Sequence, residues 1–300
     1  MKWDYATVVK WGLDQDGPDG LNLFTREVVA LAKTLSADVE PGDKINGYQE
    51  AYNLVRGDEV MCRCLTGGTG SAAGSSLFQA EHTAAEVYPV LQDMFPRHSV
   101  SRLDACEDFS GQGSWDRLEA MLTSIAAKHG VSMAPFGEGH WRPDGTRDAS
   151  KGRSWYFGSK SSPFRIVLYE KGLQMLAMGI PADPTWVRLE VRIRPSSKAK
   201  EQVGSARLLP SDLLGMSRWG VAVAQALGAT EVRRMAIGSV WRPSEREEMA
   251  LKIVRMFDRG MDQLLDQVGT PEEVGRLLYA VHQKYQVAKA TKGELKVVEA

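Results

Sequence analysis

Between Val187 and Arg194 every second residue is charged: Arg188, Glu190, Arg192 and Arg194 alternate with Val187, Leu189, Val191 and Ile193. That is the period of a strand whose two faces meet different surroundings. Phe164 to Lys171 repeats it, with Phe164, Ile166 and Leu168 on one face and Arg165, Val167, Tyr169 and Lys171 on the other. A solvated strand rarely needs that much arginine. Two such strands in one sheet would gather a tyrosine, a carboxylate and five cations on the face away from the core. The arrangement suits an anionic substrate, while a ladder of cross-strand salt bridges on a wet sheet explains the pattern equally well. The polar face is expected to point outward. Glu190→Ala should then cost little stability, and Leu189→Ala should open a buried cavity.

The stretch RHSVSRLDACEDF reads as a third strand, with Arg102, Asp104, Cys106 and Asp108 on one side and Leu103, Ala105 and Phe109 on the other. Two carboxylates would then face the side that Glu190 faces. These considerations predict an α+β fold: an antiparallel-rich curved sheet with flanking helices, in which the strands near 101 to 109, 164 to 170 and 186 to 194 lie adjacent or nearly so. A C-terminal helical region follows it.

The same residues carry a resemblance. Tyr156-Phe-Gly-Ser-Lys-Ser-Ser, then Arg165, then Tyr169-Glu-Lys-Gly-Leu-Gln, then Trp186-Val-Arg-Leu-Glu-Val-Arg resemble the motifs of rolling-circle replication initiators of plasmids and filamentous phages. Arg102-Leu-Asp104-Ala-Cys-Glu-Asp108 matches that family's R-x-D-x-x-x-D strand, so the likeness covers about residues 100 to 195. Lys160 stands where the family has arginine, which keeps the charge and loses a bidentate phosphate fork.

The resemblance implies an origin-binding enzyme that nicks one DNA strand by tyrosine transesterification, forming a 5′-phosphotyrosine link and a free 3′-hydroxyl. A phenol titrates near pH 10 and is a poor nucleophile unless a cation or proton acceptor lies close. Tyr169, with Arg165 and Lys171 on its own expected face, is the candidate nucleophile. Tyr156 is its rival, but it precedes a Gly-Ser turn that would better position a phosphate. The resemblance implies metal ligation by Asp104, Glu190 and Asp108, and oxygen ligands suit Mg2+ or Mn2+. DNA contacts fall to Arg102, Arg153, Tyr156, Ser159, Lys160, Arg188, Arg192 and Arg194. Implied partners are single- and double-stranded DNA at an origin and a host helicase, with a homodimer left open. Two other readings stay open: a DNA-binding or regulatory protein that does not nick, and a metal-dependent nuclease that uses water.

Charge agrees with a local site. Residues 142 to 207 hold 13 basic and 6 acidic residues, a local +7, although the whole chain carries −1. Such focusing attracts a phosphate backbone without making the entire surface basic. His82, His98, His129, His140 and His282 are scattered singly, so no His-hydrophobe-His metal pair exists. Cys62, Cys64 and Cys106 read as buried free thiols. GGTGSAAG lacks the Gly-Lys-Ser/Thr ending of a phosphate loop and reads as a turn. No apolar run is long enough to span a bilayer and no signal peptide is evident, so a cytoplasmic protein without membrane attachment is expected. Residues 1–205 are assigned to the α+β catalytic region and 206–300 to the helical region. Helices are expected over Leu23 to Leu35, 78 to 95, Ser114 to His129, Ser211 to Leu227, Ser244 to Val268 and Pro271 to about Lys289, with Ser244 and Thr270 as N-caps.

Overall fold

The computed structural model describes residues 1–16, 22–45, 47–136, 152–238, 260 and 263–298. Its centre is a ten-stranded sheet. In spatial order the strands are β2 (Asp38–Pro41), β3 (Glu50–Arg56), β4 (Glu59–Thr66), β5 (Ser75–Ala80), β1 (Lys2–Trp11), β6 (Ser99–Phe109), β10 (Val187–Ile193), β9 (Phe164–Tyr169), β8 (Ser154–Phe157) and β7 (Met133–Phe136). Every neighbouring pair is antiparallel. The α+β class is therefore as expected, and β6, β10 and β9 are immediate neighbours.

Helices cover one face of the sheet. Val187, Leu189, Val191 and Ile193 of β10 are buried there in the same cluster as Leu103 and Ala105 of β6 and Ile166 and Leu168 of β9. Helix α1 (Leu23–Leu35) adds Phe24, Val28, Leu31 and Leu35, spaced to share one helical face. Asn22 caps it by accepting from the Phe24 amide at 2.9 Å. Helices α2 (Ala84–Met94) and α3 (Ser114–Lys128) contribute Val87, Tyr88, Leu91, Trp115, Leu118 and Leu122.

The helix expected from residue 78 begins only at Ala84, because the residues before it form β5. That strand, Ser75-Ser-Leu-Phe-Gln-Ala80, is buried on both faces, so it shows no apolar–polar alternation to separate strand from helix. The helix expected over Ser211 to Leu227 is divided at Ser217, which is extended, into a 3₁₀ segment (Pro210–Met216) and an α-helix (Arg218–Ala226). Leu208, Leu213, Leu214, Trp219 and Val223, from the segment assigned by sequence to the helical region, are buried in the sheet's core, with Trp219 edge-on to Phe164 at 5.0 Å.

The chain divides into two units, Met1–Val240 and Trp241–Ala300. The second contains the helix Pro271–Val298. Thr270 caps it as its sequence suggests, its hydroxyl accepting from the Glu273 amide at 3.3 Å. Most of the helix expected over Ser244 to Val268 lies outside the described residues. Among the described residues no helix is long and apolar enough to cross a membrane.

Candidate functional site

The site is the sheet face opposite the helices, and strand register lays it out in rows. Asp108, Arg188, Tyr169 and Ser154 form the first, from β6 through β10 and β9 to β8. Cys106, Glu190, Val167 and Tyr156 form the second, and Tyr5 of β1, Asp104, Arg192 and Arg165 the third. Successive rows are two residues apart, about 6 to 7 Å. Arg102 lies one row beyond Asp104 on β6, and Arg194 follows β10, its amide bonded to the Pro163 carbonyl at 2.8 Å. Ser159 and Lys160 belong to the adjoining turn between β8 and β9, so they share this end of the face.

That turn needs its glycine. Gly158 has φ +91, and a Cβ there would meet the Phe164 carbonyl oxygen at 3.0 Å. At the other end of β9, Glu170 precedes helix α4 (Lys171–Ala177), so the strand stops at Tyr169. Gly172 lies so close to the Asp183 carbonyl that a Cβ would stand 1.8 Å from its oxygen. Lys171 is thus a helical residue rather than a strand residue, although its ammonium still lies 5.9 Å from the centre of the Tyr169 ring.

The polar face is not the wet surface expected. Asp104 is 1% exposed, and Glu190 and Arg188 are 6% exposed. Such groups survive burial by pairing. Asp104 is gripped by Arg102 on its own strand and by Arg192 at 3.0 Å, and Arg192 also donates to Glu190. Burial raises the Asp104 pKa to about 6, with Arg102 pulling it down and Glu190 pushing it up. Asp108 accepts from Arg188 at 2.7 and 3.0 Å and from the Trp186 indole at 2.8 Å. Burial would raise its pKa, but these partners outweigh that and hold it at about 2.

Tyr169 is half-buried, and burial, with Glu190 next, pushes its phenol well above the ordinary range. Arg188, its register partner, opposes that shift. Arg165 is four residues away on the strand, about 13 Å, and stacks instead on Tyr156 at 4.3 Å. Arg153, expected to contact DNA, points to the helix side because it precedes Ser154 by one residue. It stacks on Trp115 at 4.4 Å and pairs with Glu170 at 2.8 Å.

A divalent ion does not fit Asp104, Glu190 and Asp108 as they stand. Asp104 and Asp108 are four residues apart on one strand, and all three carboxylates are engaged by arginine. Among the described residues no three ligating side chains converge. Two residues of the face were missed in the sequence: Tyr5, whose ring lies 4.0 Å below Arg102, and Asp4, which pairs with Arg188 at 2.8 Å.

Strands β6, β10 and β9 of this α+β fold thus carry an arginine-rich polar face, with Tyr169 at the end of β9. Residues 98–203, which contain β6, β9 and β10, match the family model of replication initiation factors. No curated protein matches the chain. Among solved structures, a rolling circle replication initiator protein from Geobacillus stearothermophilus is similar with a TM-score of 0.47 and 15% identity, over 82% of this chain and 89% of that one.

Proposed function

We propose that this face binds single-stranded DNA at a replication origin and that Tyr169 nicks it to start rolling-circle replication. The observation that carries the reading is unpaired positive charge. Arg165 and Arg194 have no carboxylate partner among the described residues, and the buried Arg165 Nε has no hydrogen-bond acceptor. Burial and neighbouring arginines both lower their pKa values, so each would be relieved by an anion. A phosphate backbone supplies one, and Tyr156 and Tyr5 offer rings for base stacking.

In the nicking step the Tyr169 oxygen attacks a backbone phosphorus and the bond to the 3′ oxygen breaks. The protein is left on the 5′ end and the departing strand keeps a 3′-hydroxyl, with the phenol proton balancing the one gained there. In this reading the Glu190 carboxylate takes up the phenol proton and the Arg188 cation steadies the negative charge that develops on the Tyr169 oxygen. The carboxylates fit arginine better than Mg2+ or Mn2+, so positive charge at the phosphate is assigned here to the side chains. A helicase would extend the opening, and double-stranded origin DNA would be the first form met.

The test is a suicide oligonucleotide tiled across the replicon. A covalent, protease-sensitive adduct supports nicking. Retardation without adduct supports a DNA-binding protein, and cleavage without adduct supports a nuclease that uses water.

A further inference from the structure

Asp4 reaches the site through an irregularity in β1. Trp3 pairs with Ala105 and Tyr5 with Asp104, so β1 takes two steps where β6 takes one. A bulge of this kind moves the extra residue out of alternation and re-aims its side chain. Trp3 and Ala6 remain in the core. Asp4, which strict alternation would place with Ala6 and Val8, instead has its Oδ1 2.8 Å from Arg188 Nη1 and 3.7 Å from the Cys106 Sγ.

The consequence falls on Arg188. Its Nε and Nη2 donate to the two oxygens of Asp108 and its Nη1 donates to Asp4. A guanidinium has five N–H donors in a planar fork, so one remains on each Nη. Held by Asp108 alone, the fork could pivot with that carboxylate. Gripped on a second edge from another strand, its plane is fixed. Asp108 is shared between Arg188 and Lys2, which stands 3.1 Å away, so Asp4 also balances the positive charge that Asp108 alone leaves over. Arg188 faces Tyr169 in register and favours its phenolate against the effect of burial.

We propose that Asp4 is a positioning residue for strand cleavage, delivered by the β1 bulge to lock Arg188 so that its remaining donors hold the Tyr169 oxygen in line with the phosphate. The proposal rests on the nicking reading above and adds to it a residue outside the matched segment 98–203.

The test is single-turnover cleavage of the suicide oligonucleotide by the full chain, with affinity measured separately. Asp4→Asn keeps the shape and loses the charge. It should slow cleavage at saturating oligonucleotide by tenfold to about 100-fold, the scale of a small misplacement of reacting groups, with Kd unchanged. Asp4→Glu keeps the charge on a longer arm and should fall between wild type and Asp4→Asn, which also serves should Asp4→Asn melt below the assay temperature. In an Arg188→Lys background Asp4→Asn should add no further loss, because the two act as one unit.

Wild-type rate in Asp4→Asn, or a full additional loss in the Arg188→Lys background, overturns the positioning role while leaving nicking intact. A weakened Kd at unchanged rate does the same, and identifies Asp4 as a DNA-binding or structural tie. A wild-type protein that forms no adduct at all overturns the nicking reading itself, and this proposal with it.

Discussion

Glu190 shows why single residues on this face cannot be judged by alternation alone. Alternation places it correctly opposite Leu189, yet it is buried, and removing it takes a partner from Arg192. Glu190→Ala should therefore cost about 1 to 3 kcal/mol rather than nearly nothing, and Leu189→Ala about 2 to 5 kcal/mol through a cavity. Urea denaturation of the two variants checks the order, and an unchanged midpoint for Glu190→Ala would contradict its burial.

Asp104 adds a pH dependence. Its folded pKa of about 6 exceeds the ordinary value of 3.8, so between those values the folded protein holds a proton that the unfolded chain has released. Its contribution thus favours folding below about pH 4 and is lost as pH rises through 6. Asp108, held at about 2, acts oppositely: its contribution is present above about 3.8 and lost as pH falls toward 2. Melting temperature against pH should lose its decline between about 4 and 6 in Asp104→Asn. An identical profile would show that Asp104 is not the group responsible.

At the scale of elements, β6, β9 and β10 were legible because each has two faces in different environments, and that difference is written as alternation. The strand β5 was not, since burial on both faces erases the period. Lys171 was given the right neighbourhood for the wrong reason: the strand ends at Tyr169, and Gly172, packed against Asp183, lets the next helix bring Lys171 back over the ring. Asp4 was invisible because a bulge is a property of two strands in register and leaves no trace in one strand's pattern. Arg153 was misplaced because the start of β8 was not marked. The turn between β8 and β9 makes a prediction of its own. Gly158→Ala, with φ +91 and the Phe164 carbonyl in the way, should destabilise by about 1 to 3 kcal/mol and weaken DNA binding at the Lys160 end, measured by melting and by fluorescence anisotropy.

For the whole molecule, a net charge of −1 conceals a basic centre, and the structure separates charge that is used from charge that is free. Arg188 and Arg192 are compensated by carboxylates, whereas Arg165 and Arg194 are not paired among the described residues. On single-stranded DNA the logarithmic salt slope is about −0.7 per phosphate contact. Arg165→Gln and Arg194→Gln should each flatten it by about one contact, and Arg192→Gln should flatten it less. Equal slopes in all three would mean that ion pairing does not govern DNA contact. Chelation by EDTA should leave binding affinity unchanged, since Asp104, Asp108 and Glu190 are each engaged by arginine.

The central claim is that Tyr169, set beside Arg188 and Glu190, is the residue that becomes joined to DNA. Peptide mapping of the covalent adduct tests it most directly, alongside Tyr169→Phe, which removes one oxygen and should abolish the adduct while DNA affinity persists. The expected result is a nucleotide-linked peptide that contains Tyr169 and not Tyr156. Attachment to a peptide containing Tyr156 or Tyr5 without Tyr169, or an adduct that survives Tyr169→Phe, would contradict the account.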